Sequence, residues 1–189
     1  MEYEIIKKAI NLFDSPEKWN AFLELANLQQ KITNQWNSDL LDAIRSRLTI
    51  NDDRWDFRKN GWQGQWFLYE FGHESLSLWL ELGYFSLWAN PNLFDVDFIE
   101  KKLKEPEFRL IHDAMPFKDR GRHGGYIFSE IGRFEFGNIY DNHFDWPKLS
   151  WFAGNNMDDF IKQIELKLKP FIQSNSTDLL VELNRLAKR

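Results

Sequence analysis

The residues best equipped for chemistry lie in the run Lys118-Asp119-Arg120-Gly121-Arg122-His123-Gly124-Gly125. Two arginines can grip a phosphate or carboxylate in bidentate geometry, and the glycines let backbone N–H groups approach an anion. The run has neither the lysine-serine or lysine-threonine ending of a P-loop nor the G-x-G-x-x-G spacing of a dinucleotide fingerprint. For a small ligand, the plainer reading of a solvated connection between strands is preferred, and a protein partner stays open. In a net-acidic chain the charges of Lys118, Arg120, Arg122 and His123 repel one another unless solvent or a negative group relieves them.

The other candidates are weaker. His73, His112, His123 and His143 each sit near a carboxylate, but none has the i,i+4 pairing of a zinc protease and there is no cysteine, so no metal and no cofactor is expected. Glu165-Leu166-Lys167 spells the E-x-K of a Mg²⁺-dependent nuclease, yet it falls on an amphipathic helix, where carboxylates and lysines form the wet face. Glu70 and Glu81 lie on strands and would serve a hydrolase only if they were neighbours on one accessible face. Nine tryptophans invite a stacking platform. Most follow strand alternation and belong to a core, which leaves Trp62, Trp79, Trp146 and Trp151 as candidate partner-binding rings.

Composition narrows the classes. A net charge of −5, from 24 basic and 29 acidic residues, disfavours general nucleic-acid binding, which depends on neutralising phosphates, without excluding it. No apolar run is long enough to span a bilayer, and Met1-Glu2-Tyr3-Glu4 lacks the basic and apolar regions of a secretory signal, so no membrane contact and a cytoplasmic location are expected. The chain has 189 residues, the length of one ordinary domain.

These residues must be held by a fold of recognisable parts. Residues 1–50 read as helical. Ile6, Ile10 and Phe13 share one face of a first helix, and Asp14-Ser15-Pro16-Glu17 opens a second with Trp19, Phe22, Leu23 and Ala26 as its apolar stripe. That stripe fades at Gln29-Gln30-Lys31, and Asn37 or Ser38 is expected to cap a third helix bearing Leu40, Leu41, Ile44 and Leu48. Residues 54–137 are mainly β. Asn60-Gly61, Gly72 and Gly83 punctuate alternating runs from Trp55 to Ala89, with Gln65 to Phe71 as one strand and Leu76, Leu78, Leu80 and Leu82 as a core-facing set on the next. A short helix near residues 96–104 is capped by Asp95, and Phe108 to Ile111, Tyr126 to Ile131, and Phe134 with Phe136 look like further strands. Residues 156–188 return to helix, with Met157, Phe160, Ile161, Ile164 and Leu168 on one stripe, a break at Pro170, and Ser176 as cap of a last helix with Leu179, Leu180, Leu183 and Leu186. The expected fold is a single α+β domain, an antiparallel β-meander sheet packed by N-terminal and C-terminal helices.

From Gln65 onward the order of elements resembles the C-terminal accessory region of bacterial and phage proteins of the PD-(D/E)XK nuclease superfamily. The likeness rests on the aromatic strand Trp66-Phe67-Leu68-Tyr69-Glu70-Phe71, the leucine-rich strand after it, and a late Trp-x4-Trp segment (Trp146, Trp151) leading into an amphipathic helix. The acidic and lysine signature of the nuclease core is not present. The resemblance implies a prokaryotic or phage setting and a non-catalytic binding role. A protein-binding inhibitor, immunity protein or defence component is therefore the first expectation, and a metal-dependent nuclease or other hydrolase using strand carboxylates is the rival.

Overall fold

The computed structural model describes residues 2–48, 50–61, 63–81, 84–114, 126–131 and 153–189. Trp62, Leu82, the loop Lys118 to Gly125, Phe134, Phe136, and Asn142 to Phe152 with Trp146 and Trp151 lie outside the described residues. The chain is α+β. Helices α1 (Glu2–Ile10) and α2 (Pro16–Arg47) lead into strands β1 (Trp55–Asn60), β2 (Gln63–Leu68), β3 (Ser77–Glu81) and β4 (Tyr84–Trp88). Helix α3 (Val96–Leu103), a 3₁₀ turn (Pro106–Phe108) and helix α4 (Arg109–Ala114) precede β5 (Tyr126–Ile131), and helices α5 (Met157–Leu168) and α6 (Ser174–Ala187) follow it. The strands form one sheet in the order β1-β2-β3-β4-β5, antiparallel throughout.

Turn chemistry sets the meander as expected. Gly61 closes the first hairpin at φ 61°, and Gly72 takes φ 73° in the turn between β2 and β3, both in the region that excludes most side chains. Strand alternation then places Phe57, Trp66, Leu78 and Leu87 opposite one another across four strands. This face meets Leu40, Leu41 and Ile44 of α2, Phe160, Ile164 and Leu168 of α5, and Leu180 and Leu183 of α6 in one core. Leu76, Leu78 and Leu80 are buried, as their spacing predicts. Asp95 caps α3 by accepting the Phe98 N–H at 3.0 Å, and Ile99 and Leu103 of that helix are buried.

Four expectations are corrected. Residues 16–47 form one continuous helix rather than two, because side-chain bonds such as Gln30 Nε2 to Asn34 Oδ1 (2.9 Å) and Gln35 Nε2 to Asp39 Oδ1 (2.7 Å) carry the polar stretch along the helix surface. Phe108 to Ile111 is helical: Phe108 and Ile111 are buried while Arg109 and Leu110 are exposed, an i,i+3 pattern that a four-residue run cannot distinguish from a strand. Strand β2 stops at Leu68, so Tyr69 to Phe71 belong to a turn. Helix α6 starts two residues before Ser176, with Gln173 in the extended cap position, and the Ser176 hydroxyl is buried inside the helix with no partner among the described residues.

Candidate functional site

Helix α2 is where the geometry departs furthest from an ordinary domain. Its start follows from local chemistry: Ser15 stands in extended backbone before Pro16, whose fixed φ suits the first helical turn, and Asp14 pairs with Lys18 at 2.6 Å. Phe13 folds back onto the helix, its ring 5.4 Å from that of Trp19 and 4.7 Å from that of Phe22, while Trp19 and Phe22 stand 5.4 Å apart. Every residue from Pro16 to Lys31 is exposed, and burial begins at Thr33, Asn37, Leu40, Leu41 and Ile44. At 3.6 residues per turn those buried positions lie on the same helical face as Trp19, Phe22, Leu23 and Ala26. The core-facing stripe therefore runs on beyond the body as an arm of roughly 24 Å. On it Trp19, Phe22 and Leu23 remain 48%, 41% and 42% exposed. Helix α1 adds Ile6 and Ile10, also exposed. The sequence reading found this stripe but assigned it to packing on the sheet; the arm was missed because periodicity marks an apolar face without saying what covers it.

The second face of the sheet, opposite the leucines, mixes Gln65, Ser77 and Ser86 with Phe67 and Trp79, all of them buried. Gln65 is fully buried, accepts from Arg58 Nε at 2.6 Å, and donates to the His73 carbonyl at 2.6 Å and to Ser77 Oγ at 2.8 Å. Trp79 lies in this layer, 7% exposed, its indole N–H donating to Ser77 Oγ at 3.0 Å and its ring 5.2 Å from that of Trp88. So held, Trp79 has no open ring face for stacking, which corrects its place among the candidate partner-binding residues. Burial pushes the Arg58 guanidinium pKa down, and the Glu74 carboxylate opposes the shift. The signal for this network was legible in retrospect: Gln65 is a long polar side chain directly before the apolar run Trp66-Phe67-Leu68 of β2.

The catalytic candidates are separated. Glu70 lies past the end of β2, paired with Arg185 at 3.2 Å, whereas Glu81 ends β3; the antiparallel register puts these two positions at opposite ends of the β2–β3 pair. His73 approaches Glu74 at 3.3 Å and His112 approaches Asp113 at 3.4 Å. No group of three His, Cys, Asp or Glu that could hold a metal occurs among the described residues. Glu165 lines an open cleft of about 550 Å³ with Asp52, Asp53, Arg54 and Lys169. Arg54 bonds Asp52 at 2.7 Å and also reaches Asp178 at 2.6 Å, and this guanidinium holds the Asp52 carboxyl below the usual carboxylate range. Histidine 123, Lys118, Arg120 and Arg122, with Trp62, Trp146 and Trp151, lie outside the described residues. No helix among the described residues is long and apolar enough to cross a membrane. Comparison with protein-family models, with curated proteins and with solved structures gave no match.

Proposed function

We propose that this chain is a non-catalytic protein-binding protein, and that its binding surface is the apolar arm of α2. The observation that carries the reading is the exposure of Trp19, Phe22 and Leu23 on a helix whose identical face is core about five turns later. Monomeric proteins seldom leave a contiguous apolar patch of more than about 300–600 Å² without a use for it. Aromatic rings clustered on a rigid helix are the usual anchors of helix-in-groove recognition and of helix pairing. The reading as a prokaryotic or phage inhibitor, immunity protein or defence component draws on the resemblance of the region after Gln65 and belongs to the same proposal. The hydrolase reading loses support from the separation of Glu70 and Glu81.

The test is a binding measurement with purified components. A partner recovered by crosslinking to the intact chain should bind it in calorimetry, and Trp19→Ala/Phe22→Ala should weaken that affinity by more than roughly tenfold, the scale expected of interface anchors. Equal affinity in the double variant would remove the arm from the binding surface. A parallel Arg120→Ala/Arg122→Ala variant reports whether the basic loop contributes to the same partner.

A further inference from the structure

We infer that the Asp56 carboxylate closes the free edge of the sheet, holding off the β1 strand of a second copy that would otherwise add there. This closure is independent of the α2 arm.

Strand β1 comes first in the order β1-β2-β3-β4-β5, and among the described residues no strand lies on its other side. An antiparallel ladder bonds alternate residues of a strand to the partner, and the residues between them aim their N–H and C=O groups away. Two observations fix which residues those are. The Tyr69 N–H donates to the Arg54 carbonyl at 2.8 Å, and Asn60 stands opposite Gln63 across the hairpin turn. Asp56 and Arg58, at even steps from both, therefore turn their backbone groups to β2, while Trp55, Phe57 and Lys59 face outward. Such a row is a template for another strand, and identical chains offer one another the same edge.

Here the row is interrupted. The Trp55 N–H donates to the Asp52 carbonyl at 3.2 Å, and the Phe57 N–H donates to Oδ1 of Asp56 at 2.7 Å. An incoming carbonyl would have to displace that carboxylate oxygen and approach its negative charge. The cationic side chains of the strand do not share the task. Lys59 reaches to α2, bonding Asp42 Oδ1 at 2.8 Å and Ser38 Oγ at 3.3 Å, and Arg58 turns onto the second face, its Nε donating to Gln65 Oε1 at 2.6 Å. Asp56, exposed to solvent, is the charged side chain left to blunt this edge. Without it the outward N–H groups of Phe57 and Lys59 become adjacent open donors.

The experiment uses the intact protein. Asp56→Ala removes the acceptor at an exposed position and should leave the circular dichroism of the dilute chain unchanged. As concentration rises, light scattering should give this variant a larger mass than the parent, and amide exchange at Phe57 and Lys59 should slow by more than roughly tenfold in the associated form. Asp56→Asn keeps an Oδ1 acceptor and should follow the parent. An alanine variant whose mass stays with the parent's at every concentration overturns the inference, as does association that slows exchange at other amides instead. An asparagine variant that associates as alanine does would also overturn it, by assigning the closure to charge alone. The parent gives a second reading that needs no variant to fold: corrected for neighbouring residues, its Phe57 amide should exchange more slowly than its Lys59 amide, and equal rates would remove the bond on which the closure rests.

Discussion

Asn184 is the buried polar side chain on which the junction of helix and sheet depends. It is fully buried in α6, its Oδ1 accepts the Leu76 backbone N–H at 2.9 Å, and its Nδ2 donates to the Leu180 carbonyl at 2.9 Å. Asn184→Leu would leave the Leu76 N–H buried without an acceptor, so a loss of about 1–3 kcal/mol in urea unfolding is expected. A loss below the error of extrapolation would mean that another group takes over. Asp52 gives a pH dependence. Arg54 lowers its pKa below the ordinary 3.8, so in the window between the folded and unfolded values the unfolded chain binds more protons. The stability contributed by this pair is complete above the ordinary value and is lost as pH falls through the lowered one. Arg54→Met should therefore flatten the decline of the urea midpoint as pH falls below the ordinary carboxylate value of 3.8. An unchanged slope would assign acid sensitivity to other carboxylates. Neither residue stood out in the sequence, since an asparagine amid leucines and an aspartate in a loop acquire these roles only from partners 108 and 2 residues away.

At the scale of elements, α2 does two jobs with one stripe. Its last turns press Leu40, Leu41 and Ile44 into the core, and its first turns carry the same face into solvent. The fit is close where α2 crosses β2: a Cβ built on Gly64 would lie 3.0 Å from Leu41 Cδ2 and 3.0 Å from Phe57 Cε2. Gly64→Ala should destabilise by about 1–3 kcal/mol through overpacking, and Gly64→Val by more, read as a lower thermal midpoint. An alanine variant as stable as the parent would show that α2 can shift on the sheet. The strands were legible because alternation and turn glycines are local signals. The continuity of α2 was not, because Gln29, Gln30, Asn34 and Asn37 resemble the caps and breaks of helix ends, while in place Thr33 and Asn37 are buried against the body.

For the whole molecule, the exposure of residues 16–31 means that the body does not need the arm to fold. A chain starting at Ile32 should keep its unfolding free energy within about 1 kcal/mol of the dilute intact protein. Collapse of the truncated chain would make the arm part of the folding unit.

The sequence by itself determined the elements that rest on neighbours a few residues apart. The hairpin at Gly61, the Asp95 cap of α3, the alternation of Leu76, Leu78 and Leu80, and the helix after Asn156 all depend on short-range backbone geometry and on a single period. Tertiary structure decided which of two similar aromatic residues is covered. Trp79 and Trp19 each sit at a regular position of their element, yet one is 7% and the other 48% exposed. Periodicity states which side chains share a face, and burial depends on what another part of the chain lays over that face, a property no window of sequence contains.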